Sequence, residues 1–341
     1  DFQNRPEYRL SDWEGSLCVQ DRWVPVTQFV LDAGLRTDYQ KMTGVWRMAP
    51  RFGAAFSPFA NGGTVLRGGF GWFFDRVPLN ISAFPHYPAR EVTTYAQGGE
   101  TSRVLFRNVL DAESGQRAPL VFGSSRPGNF APRSANWNVE WEHQFSKLVM
   151  IRTGYLQTWG EGQVVLQPGA QGGVPALLLQ GKGRSRQRHF ETVARISWQE
   201  EQQLMFSYVR SWARSNLNDF SNFLGNFPIP VVRPDVYTEA SGNIPHRVLA
   251  WGVIPFKAGW RVAPMAEWRS GFPYAALNPL QEYAGIPNTR RFPQFLAVDF
   301  RVSKDIQYRG HGFRVSFSMF NLLNRNNPDT VRLNTGDGQF R

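Results

Sequence analysis

"GFRVSFSM", residues 312–319, alternates strictly. Phe313, Val315, Phe317 and Met319 fall on one side, and Arg314, Ser316 and Ser318 on the other. A period of two is the signature of a β-strand with unlike faces. The same beat recurs along the chain. In "FLAVDFRVSK" (295–304), Leu296, Val298, Phe300 and Val302 oppose Ala297, Asp299, Arg301 and Ser303. In "NWNVEWEHQ" (136–144), Trp137, Val139 and Trp141 oppose Asn136, Asn138, Glu140 and Glu142. "FVLDAGLRTD" (29–38) sets Phe29, Leu31, Ala33 and Leu35 against Asp32, Gly34, Arg36 and Asp38. A soluble sandwich alternates too. Here the polar side carries spaced charges with glycines between them, as a wall facing a polar lumen would.

Composition points the same way. Aromatics make up 14% of the 341 residues, with 12 Trp and 27 Phe, and rings in such numbers suit membrane interfaces. The net charge of +11 suits anionic lipid, an acidic ligand or nucleic acid, or lumen and loop charge without a specific partner. The basic residues are scattered, not clustered in a stripe with interleaved aromatics, so no nucleic-acid partner is expected. The lone Cys18 excludes an internal disulfide framework and a cysteine metal cluster. No apolar run reaches the ~18 residues of a membrane helix.

About fourteen strands are expected, beginning near Gly15, Gln28, Arg47, Thr64, Arg90, Ser102, Ala135, Leu148, Phe190, Gln202, Arg247, Trp260, Gln294 and Gly312. Their connections alternate in length. Short ones are 25–27, 60–63, 96–100, 146–147, 199–201, 257–259 and 307–311. Long ones run over 78–89, 111–134, 159–189, 215–246 and 271–293. An outer-membrane barrel has short periplasmic turns and long extracellular loops, so parity favours an all-β, transmembrane, antiparallel up-and-down β-barrel in the bacterial outer membrane. A Greek-key sandwich has no reason to sort its loops this way.

Several stretches carry a family resemblance. "SLCVQDRWVPVTQFVLDAGLRTDY" (16–39) and "APRFGAAFSPFANGGTVLRGGFGWFFDRVP" (49–78) resemble paired-strand segments of TonB-dependent receptors. "SYVRSWARSNLND", "PHRVLAWGVIPF", "EWRSGFPY" and "FNLLNRNNP" follow in the same order as in those barrels. The likeness is greatest to receptors with an N-terminal carboxypeptidase-regulatory-like domain before the plug. It implies a barrel of about 22 strands with a plugged lumen. It also implies import of a bulky, scarce small-molecule, peptide or glycan ligand, driven through TonB. Neither plug nor TonB box is recognisable, and "TGDGQFR" at 335–341 does not read as a closing strand. Residues 1–341 are therefore expected to be part of the barrel, contacting outer-membrane lipid, with plug and TonB reached through other segments. A passive porin or structural barrel is the alternative.

No catalytic, cofactor or metal site is expected. His86, His143, His189, His246 and His311 show no ligand spacing. "LRGGFG" (66–71) lacks the Gly-Lys-Ser/Thr ending of a phosphate loop. No Ser-His-Asp arrangement suggests a hydrolase. Asp299, Arg301, Arg314, Glu267 and Arg269 are candidates to line a ligand path, or to form salt bridges with neighbouring strands or plug. Loops 111–134, 167–188 and 215–246 are expected at the extracellular mouth. They carry Arg117, Arg126, Arg133, Lys182, Arg184, Arg186, Arg188 and Arg233, of which Arg184, Arg186 and Arg188 form the densest basic group.

Overall fold

The computed structural model describes residues 9–59, 62–111, 119–123, 130–199, 202–218, 233–279, 282–328 and 332–336. Arg117 and Arg126 lie outside this set. The long strands are β1 (Glu14–Val26), β2 (Phe29–Gln40), β3 (Val45–Phe56), β4 (Thr64–Phe74), β8 (Arg133–Gln144), β9 (Val149–Gln171), β10 (Val174–Gln199) and β11 (Gln202–Ser215). They continue as β13 (His246–Gly252), β15 (Trp260–Arg269), β18 (Phe295–Tyr308) and β19 (His311–Met319). Each pairs antiparallel with the next, so twelve strands make one meandering wall. Among the described residues, no helix is long and apolar enough to cross a membrane.

Directly paired residues of an antiparallel ladder share a face, so the register carries facing across the whole sheet. Phe317 lies opposite Val302, Val302 opposite Val262, and Trp268 opposite both Leu296 and Val248. Val248 in turn opposes Tyr208, which faces Thr192. Near the other edge Trp137 opposes Phe70, Phe70 opposes Phe52, and Phe52 opposes Ala33. One face is thus apolar and aromatic from β1 to β19. Leu17, Val19, Phe52, Phe206, Phe313 and Phe317 on it are exposed, as lipid-facing side chains are in the absence of lipid. Leu296, Val298, Phe300, Phe313, Val315 and Phe317 all take this face, as the alternation requires.

Every strand expected from the sequence is present, but two leave the wall. β5 (Arg90–Ala96) and β6 (Gly99–Leu110) form a hairpin with each other. β4 pairs directly with β8, so this hairpin belongs to the connection between them. Removing a hairpin leaves parity intact, which is why loop lengths alone cannot reveal the excursion. A second difference concerns 159–189. The chain is extended through it, and β9 and β10 run to a two-residue turn at Gly172–Gly173. Both glycines have positive φ (58° and 78°), as the tightest hairpin turn demands.

That long hairpin supports a compact crown at the long-connection end. The β6 residues Arg107–Leu110 add in parallel to Ala176–Leu179 of β10. A short helix α1 (Leu79–Ala83) and the turn Phe84–His86 pack beside them. Val77, Ile81, Phe84, Phe130, Leu166, Leu177 and Leu179 form a buried apolar cluster there. β7 (Val121–Gly123) pairs antiparallel with Val45–Arg47 at the tip of β3.

Candidate functional site

The second face of the wall is polar, and many of its cations meet acids on the same or a neighbouring strand. Arg22 meets Asp32 at 2.7 Å, and Arg36 meets Asp38 at 2.9 Å. Arg67 reaches Glu140 at 2.7 Å and Glu142 at 3.2 Å, with Arg152 at 3.8 Å from Glu140. On the far side Glu267 lies 2.9 Å from Arg247 and 3.7 Å from Arg269. Asp305 takes both Arg314 (2.6 Å) and Arg261 (3.0 Å). Arg301 donates to Ser318 Oγ, and Asp299 accepts from the Asn321 backbone N–H. The five candidate path residues therefore share one face, each with a protein partner. Exposed pairs of this kind contribute little to stability singly. Where they occur they make the face polar yet locally neutral, while Arg51 lies over the Phe73 ring and Arg301 meets only a hydroxyl.

At its long-connection end this face opens into a cleft of about 290 Å³ lined by Glu14, Ser16, Arg36, Asp38, Arg47 and Arg76 among others. The cleft floor is cross-linked by hydrogen bonds. Arg47, only 3% exposed, donates to Gln40 Oε1 (2.5 Å), Thr43 Oγ1 (3.2 Å) and the Asp75 carbonyl (2.7 Å). Gln40 in turn donates to the Val77 carbonyl and to Asp12. These bonds tie the tips of β2 and β3 to the chain entering the crown. Asp75, beside the network, has its carboxyl pushed above the usual range by burial, with Arg47 opposing in part.

The basic residues expected at the mouth divide into two groups. Arg133 pairs with Glu161 at 2.7 Å, Lys182 lies 3.9 Å from Asp111, and Arg233 donates to the Leu217 and Ser215 carbonyls. These three hold structure together. Arg184, Arg186 and Arg188 sit on β10 and not in a loop, and the register puts them on the apolar face, in line with Phe190. Their β11 neighbours Arg210 and Arg214 were not singled out by the sequence, because a strand-borne arginine beside an arginine-rich segment reads as ordinary alternation. Among the described residues, no group of three or more His, Cys, Asp or Glu is placed to hold a metal.

A long antiparallel meander, apolar and aromatic on one face, ion-paired on the other and sorted by loop length, describes a membrane wall. A profile of the outer membrane beta barrel domain matches residues 42–222. The chain belongs to this family. It lies in the bacterial outer membrane. No curated protein matches it. Solved structures with a similar fold include the outer membrane transporter YddB from Escherichia coli, at 15% identity and TM-score 0.61, over 93% of this chain and 42% of that one. The siderophore receptor PirA from Pseudomonas aeruginosa aligns at 10% identity and TM-score 0.55, over 92% of this chain and 46% of that one. The FrpB iron transporter from Neisseria meningitidis aligns at 12% and 0.58, over 93% and 42%. The chain thus spans less than half the length of each of these proteins.

Proposed function

We propose that the chain is part of the barrel wall of a TonB-dependent receptor, of the type with a carboxypeptidase-regulatory-like domain ahead of its plug, importing a bulky ligand. The observation that carries this reading is the ion-paired face. A neutralised but richly hydrogen-bonding surface, from Arg22–Asp32 on β1 and β2 to Asp305–Arg314 on β18 and β19, suits a polar plug packed inside the lumen. On this reading Asp299, Arg301, Arg314, Glu267 and Arg269 line the lumen. A small-molecule, peptide or glycan ligand enters past the cleft at Arg47. The similar folds include a siderophore receptor and an iron transporter, which supports import as the role. Lipid leaves no backbone group unpaired, so further strands of the same wall cover the outer edges of β1 and β19.

Planar-bilayer conductance of the full-length receptor tests this. A plugged receptor shows no steady current until urea displaces the plug, and pore openings afterwards. A steady ohmic channel from the outset would instead make the protein a passive porin.

A further inference from the structure

We propose that the arginines on the lipid-facing side of β10 and β11 form a binding site for the phosphate groups of an outer-leaflet glycolipid. Charge accounting motivates it. On the polar face Arg22, Arg36, Arg67, Arg247, Arg261 and Arg314 all have a carboxylate within 4 Å. On the opposite face Arg184, Arg186, Arg188, Arg210 and Arg214 crowd together, and among the described residues none of them pairs with an acid. Their partners are rings and neutral groups, with Arg210 also donating to the Pro245 carbonyl and meeting His246, and Arg214 donating to the Tyr237 carbonyl. Arg188 and Arg210 flank Trp212 (5.8 and 4.6 Å), Arg184 and Arg214 share Tyr237 (5.9 and 5.3 Å), and Arg186 lies over Trp159 (5.9 Å). Glu239, which also lines the cleft between them, is already held by Arg291 through two bonds of 2.6 Å and by Asn243. A cleft of about 420 Å³ opens between Arg186, Arg188, Arg214 and Tyr237.

Height decides the occupant. Trp198, exposed, marks the short-turn end of β10, ten residues along the strand from Arg188. At about 3.3 Å per residue and a tilt of about 40°, that interval rises about 25 Å, the height of a barrel's apolar band. The arginines therefore stand at the far membrane boundary, on the long-loop side, where outer-leaflet headgroups lie. Guanidinium forks match phosphate oxygens, and the flanking rings suit the interface. This site depends only on the membrane placement of the wall, so it stands or falls separately from the conductance result.

The test is native mass spectrometry of the full-length protein extracted in mild detergent, with retained glycolipid counted. Arg186→Gln, Arg188→Gln and Arg214→Gln together should lower affinity for a bis-phosphorylated lipid A about 100-fold, at roughly a factor of five for each cation removed. Neutralising Lys147 and Arg309, at the short-turn end, should leave retention unchanged. Dephosphorylated lipid A should not be retained by either form. If the triple variant fails to assemble, Arg186→Gln alone should still show about a fivefold loss, and Arg186→Lys a smaller one. Equal retention by wild type and triple variant overturns the proposal, as does saturation by inorganic phosphate without any retained glycolipid.

Discussion

Phe317 is 60% exposed in the isolated chain, on the face it shares with Val302, Val262 and Phe300. In a membrane that exposure is contact with acyl chains. Phe317→Arg should therefore cost about 2–4 kcal/mol if the site is near the midplane, read from denaturant titration of the folded protein in lipid. The same substitution at Ser316, on the polar face, should cost far less; equal costs would mean the two faces are not distinct. Asp75 offers a pH readout outside the membrane. Burial raises its carboxyl pKa in the folded protein. The folded state then holds that proton more tightly than the unfolded chain does. Stability is lost as pH rises from the unfolded value of about 3.9 through the raised folded one, and nothing is lost below both. Asp75→Asn removes this term. Relative to wild type it should gain stability between pH 3 and pH 7, measured by urea unfolding at each pH. A wild-type-to-variant difference that is the same at both pH values rules out the burial effect.

At the scale of elements, the crown is a separate unit standing on the wall. Phe84, fully buried, packs with Phe130, Leu166, Leu177 and Leu179, residues that come from four stretches of chain. Phe84→Ala should cost about 3–5 kcal/mol locally. Because the twelve-strand ladder does not run through Phe84, the loss should show as protease cleavage within 75–110 while the barrel stays heat-modifiable on gels. Unfolding of barrel and crown together would refute their independence. The wall was readable in the sequence because its faces differ in a way that period-two alternation displays. The crown was not. Residues 159–189 are rich in Gly, Gln and Arg, a composition that ordinarily marks a loop. They are strands because Leu166, Leu177 and Leu179 find a buried partner surface above the membrane. The hairpin at 90–110 alternates like its neighbours, and only the direct pairing of β4 with β8 shows that it stands apart. The candidate path residues were legible as a face, but their partners were not, since cross-strand register sets which carboxylate meets which arginine.

For the whole molecule the open matter is what fills the space against the polar face, and the chain carries its own probe. Cys18 is the sole cysteine, on β1, exposed, opposite Arg36 and in line with Ser16, Gln20 and Arg22. Its neighbours Leu17 and Val19 are exposed on the opposite, apolar face. In a plugged barrel a bulky, membrane-impermeant maleimide should label Cys18 slowly, with the site located by peptide mapping, and labelling should accelerate when urea releases the plug. In an open pore labelling should be fast from the start and indifferent to mild urea. A third pattern is equally informative. Fast reaction with a lipid-soluble maleimide and none with the impermeant reagent, before or after urea, would put Cys18 in the bilayer. That outcome would reverse the assignment of the two faces, because the register binds Cys18 to Arg36 and Arg36 to Asp38, and every charged pair from there to Asp305 and Arg314 would have to turn toward lipid with it.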